Sequence, residues 1–152
     1  MNYQQSVNKI TGAVHYMGKL LLCFLACFTP DVVADTVVQL SMAQLDVSDL
    51  KDGELIGRGR IICSEEHSGF KVWIATQHLA PDQQSYILYP VENRQTKLQI
   101  RLQGHLWQIP LPLGNGIFRS GSESSAVFDI VAHGEQKIQP GIYPLRVSGA
   151  CL

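Results

Sequence analysis

The last eleven residues, Ile142-Tyr143-Pro144-Leu145-Arg146-Val147-Ser148-Gly149-Ala150-Cys151-Leu152, carry the reading of the fold. Tyr143, Leu145 and Val147 alternate with Pro144, Arg146 and Ser148, the period of two that puts one set of side chains on a buried sheet face. A strand is expected from Ile142 to Leu152. Cys151 is penultimate, so no further strand is expected after it.

Working back from that end, the same period recurs. Ala126 to Ala132 holds Val127-Phe128-Asp129-Ile130-Val131, a mostly buried strand. Leu98, Ile100 and Leu102 alternate with Gln99 and Arg101, and Tyr86 to Val91 reads as a strand stopped near Pro90. Phe70, Val72 and Ile74 fall on one face of Phe70–Ile74, with Trp73 on the other. Gly59-Arg60-Ile61-Ile62-Cys63 is a β-branched run, and Val38, Leu40 and Met42 alternate with Gln39 and Ser41. Lys51-Asp52-Gly53, Gly114-Asn115-Gly116, Ser120–Ser125 and Pro140-Gly141 supply turns and loops. No stretch of ten residues after residue 34 has a helical period. Six to eight short strands point to an all-β sandwich. An immunoglobulin-like sandwich that stops at Cys151 lacks its last strand, which leaves a sheet edge open and core unfilled.

The N-terminal third differs in kind. Lys9 and Lys19 are its only basic residues, and nine apolar residues, Leu20 to Phe28, follow Lys19. They would span about 14 Å as a helix, short of a bilayer core of about 30 Å. Thr29-Pro30-Asp31 breaks the run, and Val32-Val33-Ala34 offers a cleavage site. Residues 1–34 are expected to be a signal peptide and residues 35–152 one exported domain, with translation starting at Met1 or Met17. A lipoprotein acylated at Cys27 is the rival, against which bulky Leu25 counts. Loss of residues 1–34 leaves two cysteines, Cys63 and Cys151. In an oxidising compartment they are expected to pair, closing a loop of 88 residues, the alternative being two buried free thiols.

Little else suggests chemistry. The formal net charge is −1, with no polybasic run for nucleic acid. His67, His78, His105 and His133 share no metal-ligand spacing, so no metal, catalytic centre or cofactor is expected. Glu65-Glu66 beside His67 reads as a solvated turn, since adjacent residues of an extended chain point to opposite sides. Trp73 is either an exposed partner contact or a side chain on a partly covered outer face, and Trp107 is expected to pack in the core with Leu106 and Ile109.

Three stretches together resemble the AfaD-type invasin family: Gly59-Arg60-Ile61-Ile62-Cys63, His67-Ser68-Gly69-Phe70-Lys71-Val72-Trp73, and Val127-Phe128-Asp129-Ile130 through Pro140-Gly141-Ile142-Tyr143 to Gly149-Ala150-Cys151-Leu152. Members are minor subunits of chaperone–usher afimbrial and aggregative-adherence fimbrial adhesins. The resemblance covers most of residues 51–152. It implies an incomplete immunoglobulin-like sandwich completed by donor-strand complementation, with a periplasmic chaperone, an outer-membrane usher and the donor strand of a neighbouring subunit as partners. Val38, Leu40, Met42, Tyr143, Leu145 and Val147 would line the groove. The implied function is non-enzymatic: a subunit at the fimbrium tip on the cell surface, mediating adhesion to and invasion of host cells through a receptor, an integrin among the candidates. The alternative is a capping or initiating subunit with no host receptor.

Overall fold

The first strand, β1 (Thr36–Met42), lies at the edge of a sheet with its alternate side chains turned inward. A computed structural model of the chain describes residues 36–43, 49–75, 78–82, 84–110 and 115–152. The expected signal segment and its cleavage site fall outside the described residues, as does Gly114.

The remaining strands are β2 (Asp49–Leu50), β3 (Leu55–Cys63), β4 (Gly69–Ile74), β5 (His78–Leu79), β6 (Tyr86–Leu88), β7 (Leu98–Gln103), β8 (Ile117–Ser120), β9 (Ser125–Ala132), β10 (Gln136–Lys137) and β11 (Val147–Cys151). All pairings are antiparallel. One sheet runs β1-β3-β9-β7-β6-β5, a second runs β11-β4-β8, and β10 pairs with β2. The described residues contain no helix. The fold is the immunoglobulin-like all-β sandwich.

The core follows from the alternation. Ile61, Phe128, Ile130, Ile100 and Leu102 from the larger sheet face Phe70, Val72, Ile74 and Ile117 from the smaller one, all buried. Each such side chain contributes about 1.5–3 kcal/mol relative to leaving it in water. Phe128 is fully buried because its ring lies across Gly59: a Cβ at Gly59 would come within 2.0 Å of the ring. Only glycine fits there. Cys63 and Cys151 form a disulfide, Cα to Cα 6.0 Å, that ties β3 of one sheet to β11 of the other.

Four expectations need correction. The strand from Tyr86 ends at Leu88 rather than Val91, because Pro90 can donate no ladder hydrogen bond. The final strand begins at Val147, not Ile142, which leaves Tyr143 and Leu145 outside it. In the β4–β11 ladder, Leu152 and Gly69 exchange hydrogen bonds (2.9 and 3.2 Å), and Ala75 N–H donates to Arg146 O (2.9 Å). Even-numbered residues of the final segment therefore direct their backbone groups at β4. Pro144 holds the next such position and has no N–H to give, so pairing stops. Leu106 and Ile109 are exposed rather than packed with Trp107. Trp107 N–H donates to Gly104 O (3.2 Å), closing a turn that holds Leu106 at φ 67°. The turn aims Leu106 outward and Trp107 inward, where its ring meets Phe128 edge-on and its Nε1–H donates to Val127 O (2.7 Å). Lastly, the strands number eleven among the described residues, the extra ones being mostly two-residue pairings.

Candidate strand-acceptor groove

The side chains on the groove side of β1 are fixed by register. Val38 pairs with Ile61, Leu40 with Gly59 and Met42 with Gly57, so all three face the sandwich interior. Opposite Leu40 and Met42 the partner residues have no side chain. Met42 Sδ lies over Gly57, 2.8 Å from where a Cβ would sit. Val38 is half-buried against the core, but Leu40 is 39% exposed and Met42 53%. Apolar side chains turned inward yet wet mark a place where the sandwich is open.

The backbone reads the same way. Ala43 N–H donates to Ile56 O (2.8 Å), while Cys63 N–H donates to Ser124 O, toward β9. The hydrogen-bonded pairs of β1 with β3 are therefore those of Val37, Gln39 and Ser41. The N–H and C=O groups of Thr36, Val38, Leu40 and Met42 point the other way, off the sheet edge. Across the gap, Val147, Gly149 and Cys151 point theirs away from β4 by the same alternation. Two rows of outward backbone donors and acceptors thus face each other across an opening with apolar walls.

The opening narrows toward the disulfide. Thr36 Oγ1 lies 3.3 Å from Cys151 Sγ; a disulfide sulfur carries no proton, so the hydroxyl donates. Val38 Cγ2 and Ile61 Cδ1 occupy the space a side chain at Gly149 would need. If the two strands continue in this antiparallel register, Leu40 comes level with Val147 and Met42 with Leu145. Val147, Leu145 and Tyr143 are half-buried against the core, and Tyr143 is steadied by its hydroxyl donating to Gln139 O (3.0 Å). Of the six residues expected to line a groove, Val38, Leu40 and Met42 lie on β1, Val147 on β11, and Leu145 and Tyr143 in the segment before it; four are half-buried and two exposed.

The other singled-out residues have structural partners. Both ring nitrogens of His67 face carbonyl oxygens, Nδ1 to Glu65 O (2.7 Å) and Nε2 to Glu123 O (3.0 Å), and its ring packs edge-on to Phe70. Glu65 and Glu66 are exposed. Trp73 is half-buried on the outer face, with Lys71 Nζ 5.8 Å from its ring centre. Sequence reasoning missed the cluster around His133, which bonds Asp82 (3.0 Å) and lies 3.3 Å from Arg101, itself paired with Asp52 (2.6 Å). Only the pairing of distant strands brings these four together.

Comparison with known proteins agrees with this architecture. Residues 47–149 match the family described as Enterobacteria AfaD invasin protein. AggB of Escherichia coli is 41% identical over 109 residues, 69% of this chain and 72% of AggB. The crystal structure of HdaB, minor tip subunit of the E. coli Hda pilus, superposes with a TM-score of 0.71 at 34% identity, covering 76% of this chain and 82% of that one. A structure from work on fibronectin binding and biofilm formation by enteroaggregative E. coli AAF fimbriae gives 0.70 at 35% identity, with 78% and 86% covered.

Proposed function

The chain belongs to the AfaD family of enterobacterial invasin proteins, and on that footing we propose that it is a fimbrial or afimbrial tip subunit mediating adhesion to and invasion of host cells. It is not an enzyme. Residues 1–34 direct export and are removed, and residues 35–152 form the domain displayed at the cell surface. A periplasmic chaperone first fills the opening between β1 and β11, and the donor strand of a neighbouring subunit replaces it at the outer-membrane usher. Main-chain hydrogen bonds to both edges supply affinity, and the donor's alternate side chains pack on the exposed side chains of Leu40 and Met42. The disulfide holds β11 to β3 while the opening is unoccupied.

The observation that carries this reading is the exposure of Leu40 and Met42 on the inward face of β1. The host partner is proposed to be a cell-surface receptor of the integrin type. Beads coated with the purified chain are expected to attach to epithelial cells and to be taken up, and soluble integrin ectodomain should compete. Beads that do neither would leave only a capping or initiating role within the fibre.

A further inference from the structure

We propose that the outer face of β1, β3 and β9 binds a carboxylated sugar. The same alternation that turns Leu40 inward turns Gln39 and Ser41 outward. Gln39 pairs across the ladder with Arg60 and Ser41 with Arg58. On the far side of β3, Arg60 pairs with Val127 and Arg58 with Asp129. The face is therefore a small grid: Gln39, Arg60 and Val127 in one row, Ser41, Arg58 and Asp129 in the next. A cavity of about 480 Å³ at this end of the sheet has Gln39, Ser41, Arg58, Arg60 and Val127 in its lining; it also reaches Leu40 and Met42 of the groove side, and Asp129 stands outside it. That volume is within the roughly 300–1,000 Å³ of small-molecule sites.

The two arginines are not equivalent. Arg58 Nε donates to Asp129 Oδ1 (2.8 Å) and is held by that pair. Arg60 is exposed, and among the described residues no carboxylate pairs with it. Its planar fork is suited to grip a carboxylate through two parallel hydrogen bonds. Around it stand an amide, a hydroxyl and the Asp129 carboxylate, which together accept and donate to sugar hydroxyls. The methyls of Val127 offer an apolar surface to a ring face. Asp129 separates the ligand classes through hydrogen bonding: held by Arg58 at Oδ1, it can accept from a sugar hydroxyl, a donor that an acidic peptide's side chains lack.

The test is titration of the isotope-labelled exported chain, followed by NMR, with sodium glucuronate, N-acetylneuraminate, galactose and tetraglutamate. One or both sugar acids should shift the amides of Gln39, Arg60 and Val127 saturably, while galactose and tetraglutamate do not. Arg60→Gln should weaken that binding at least tenfold without changing the thermal midpoint, and Arg94→Gln, on an exposed turn elsewhere, should leave it unchanged. The proposal is overturned by no saturable shift with either acid, by equal binding of galactose or tetraglutamate, or by full binding in Arg60→Gln.

Discussion

Leu40 lies directly across the ladder from Gly59, on the side of β1 that faces the sandwich interior, and is still 39% exposed. The relationship separates two roles that alternation alone merges. Gly59 has two inward-facing partners: Phe128 on β9, inside the sheet, is fully buried, whereas Leu40 on the edge strand has no strand beyond it and stays wet. Leu40→Asp should therefore cost the free chain little, because the side chain already meets water. In the strand-filled state the same change buries an unpaired carboxylate, so donor affinity should fall by at least a hundredfold. Denaturation of the free chain and calorimetry with a donor peptide measure the two effects separately.

Gly59→Ala should disturb the core rather than the groove. The new methyl would overlap the Phe128 ring, whose nearest atom lies 2.0 Å from the Cβ position. Phe128 must then leave its place among the buried side chains. A loss of about 1–3 kcal/mol is expected, read as a lower denaturation midpoint. Phe128→Ala should cost about 3–5 kcal/mol by cavity formation.

The disulfide should matter most when the opening is empty. Cys63–Cys151 closes a loop of 88 residues and is the covalent link between β3 and β11. On the chain-entropy model it contributes about 4–5 kcal/mol. A Cys63→Ser, Cys151→Ser double variant should lose several kcal/mol as the free chain and measurably less once strand-filled, since a bound strand then ties β1 to β11. Equal losses in both states, measured by chemical denaturation, would contradict that division of labour.

Acid should weaken the attachment of the β2–β3 turn. The side-chain hydrogen bond from Arg101, then the backbone N–H of Gly134, hold the Asp52 carboxyl below its ordinary value of 3.8. A carboxyl lowered on folding stabilises fully above its unfolded value, and that contribution is lost as pH falls through the folded value. Stability should therefore decline below about pH 4, and Asp52→Asn should flatten that slope. Urea midpoints from pH 2 to 6 for both proteins check it.

Much of this architecture was legible in the chain. The alternations at Phe70–Ile74, Leu98–Leu102 and Val127–Val131 became β4, β7 and β9 because each buries one face, and a one-residue slip would turn that face to water. The alternation at Val38–Met42 became β1, whose inward face stays half open. What stayed hidden depends on partners. Pro144 ends β11 only because the ladder to β4 puts its missing N–H on the bonded side. Leu40 and Met42 could be placed near an opening, but that glycines stand opposite them is a matter of register. The pairing of Arg60 with Gln39 and Val127 likewise comes from residues 21 and 67 apart in sequence. The two-residue strands β2, β5 and β10 carry too little pattern to read at all.

The central claim is that the space between β1 and β11 is a site for an inserted strand. Its most direct measurement is the thermal midpoint of the chain refolded with and without a peptide from a neighbouring subunit's N-terminal extension. A ligand that binds only the native state at a hundred times its Kd adds about 2.7 kcal/mol, a rise of roughly 10 °C for a domain of this size. That rise, absent in Leu40→Asp, is the expected result. An unchanged midpoint at saturating peptide would contradict the claim.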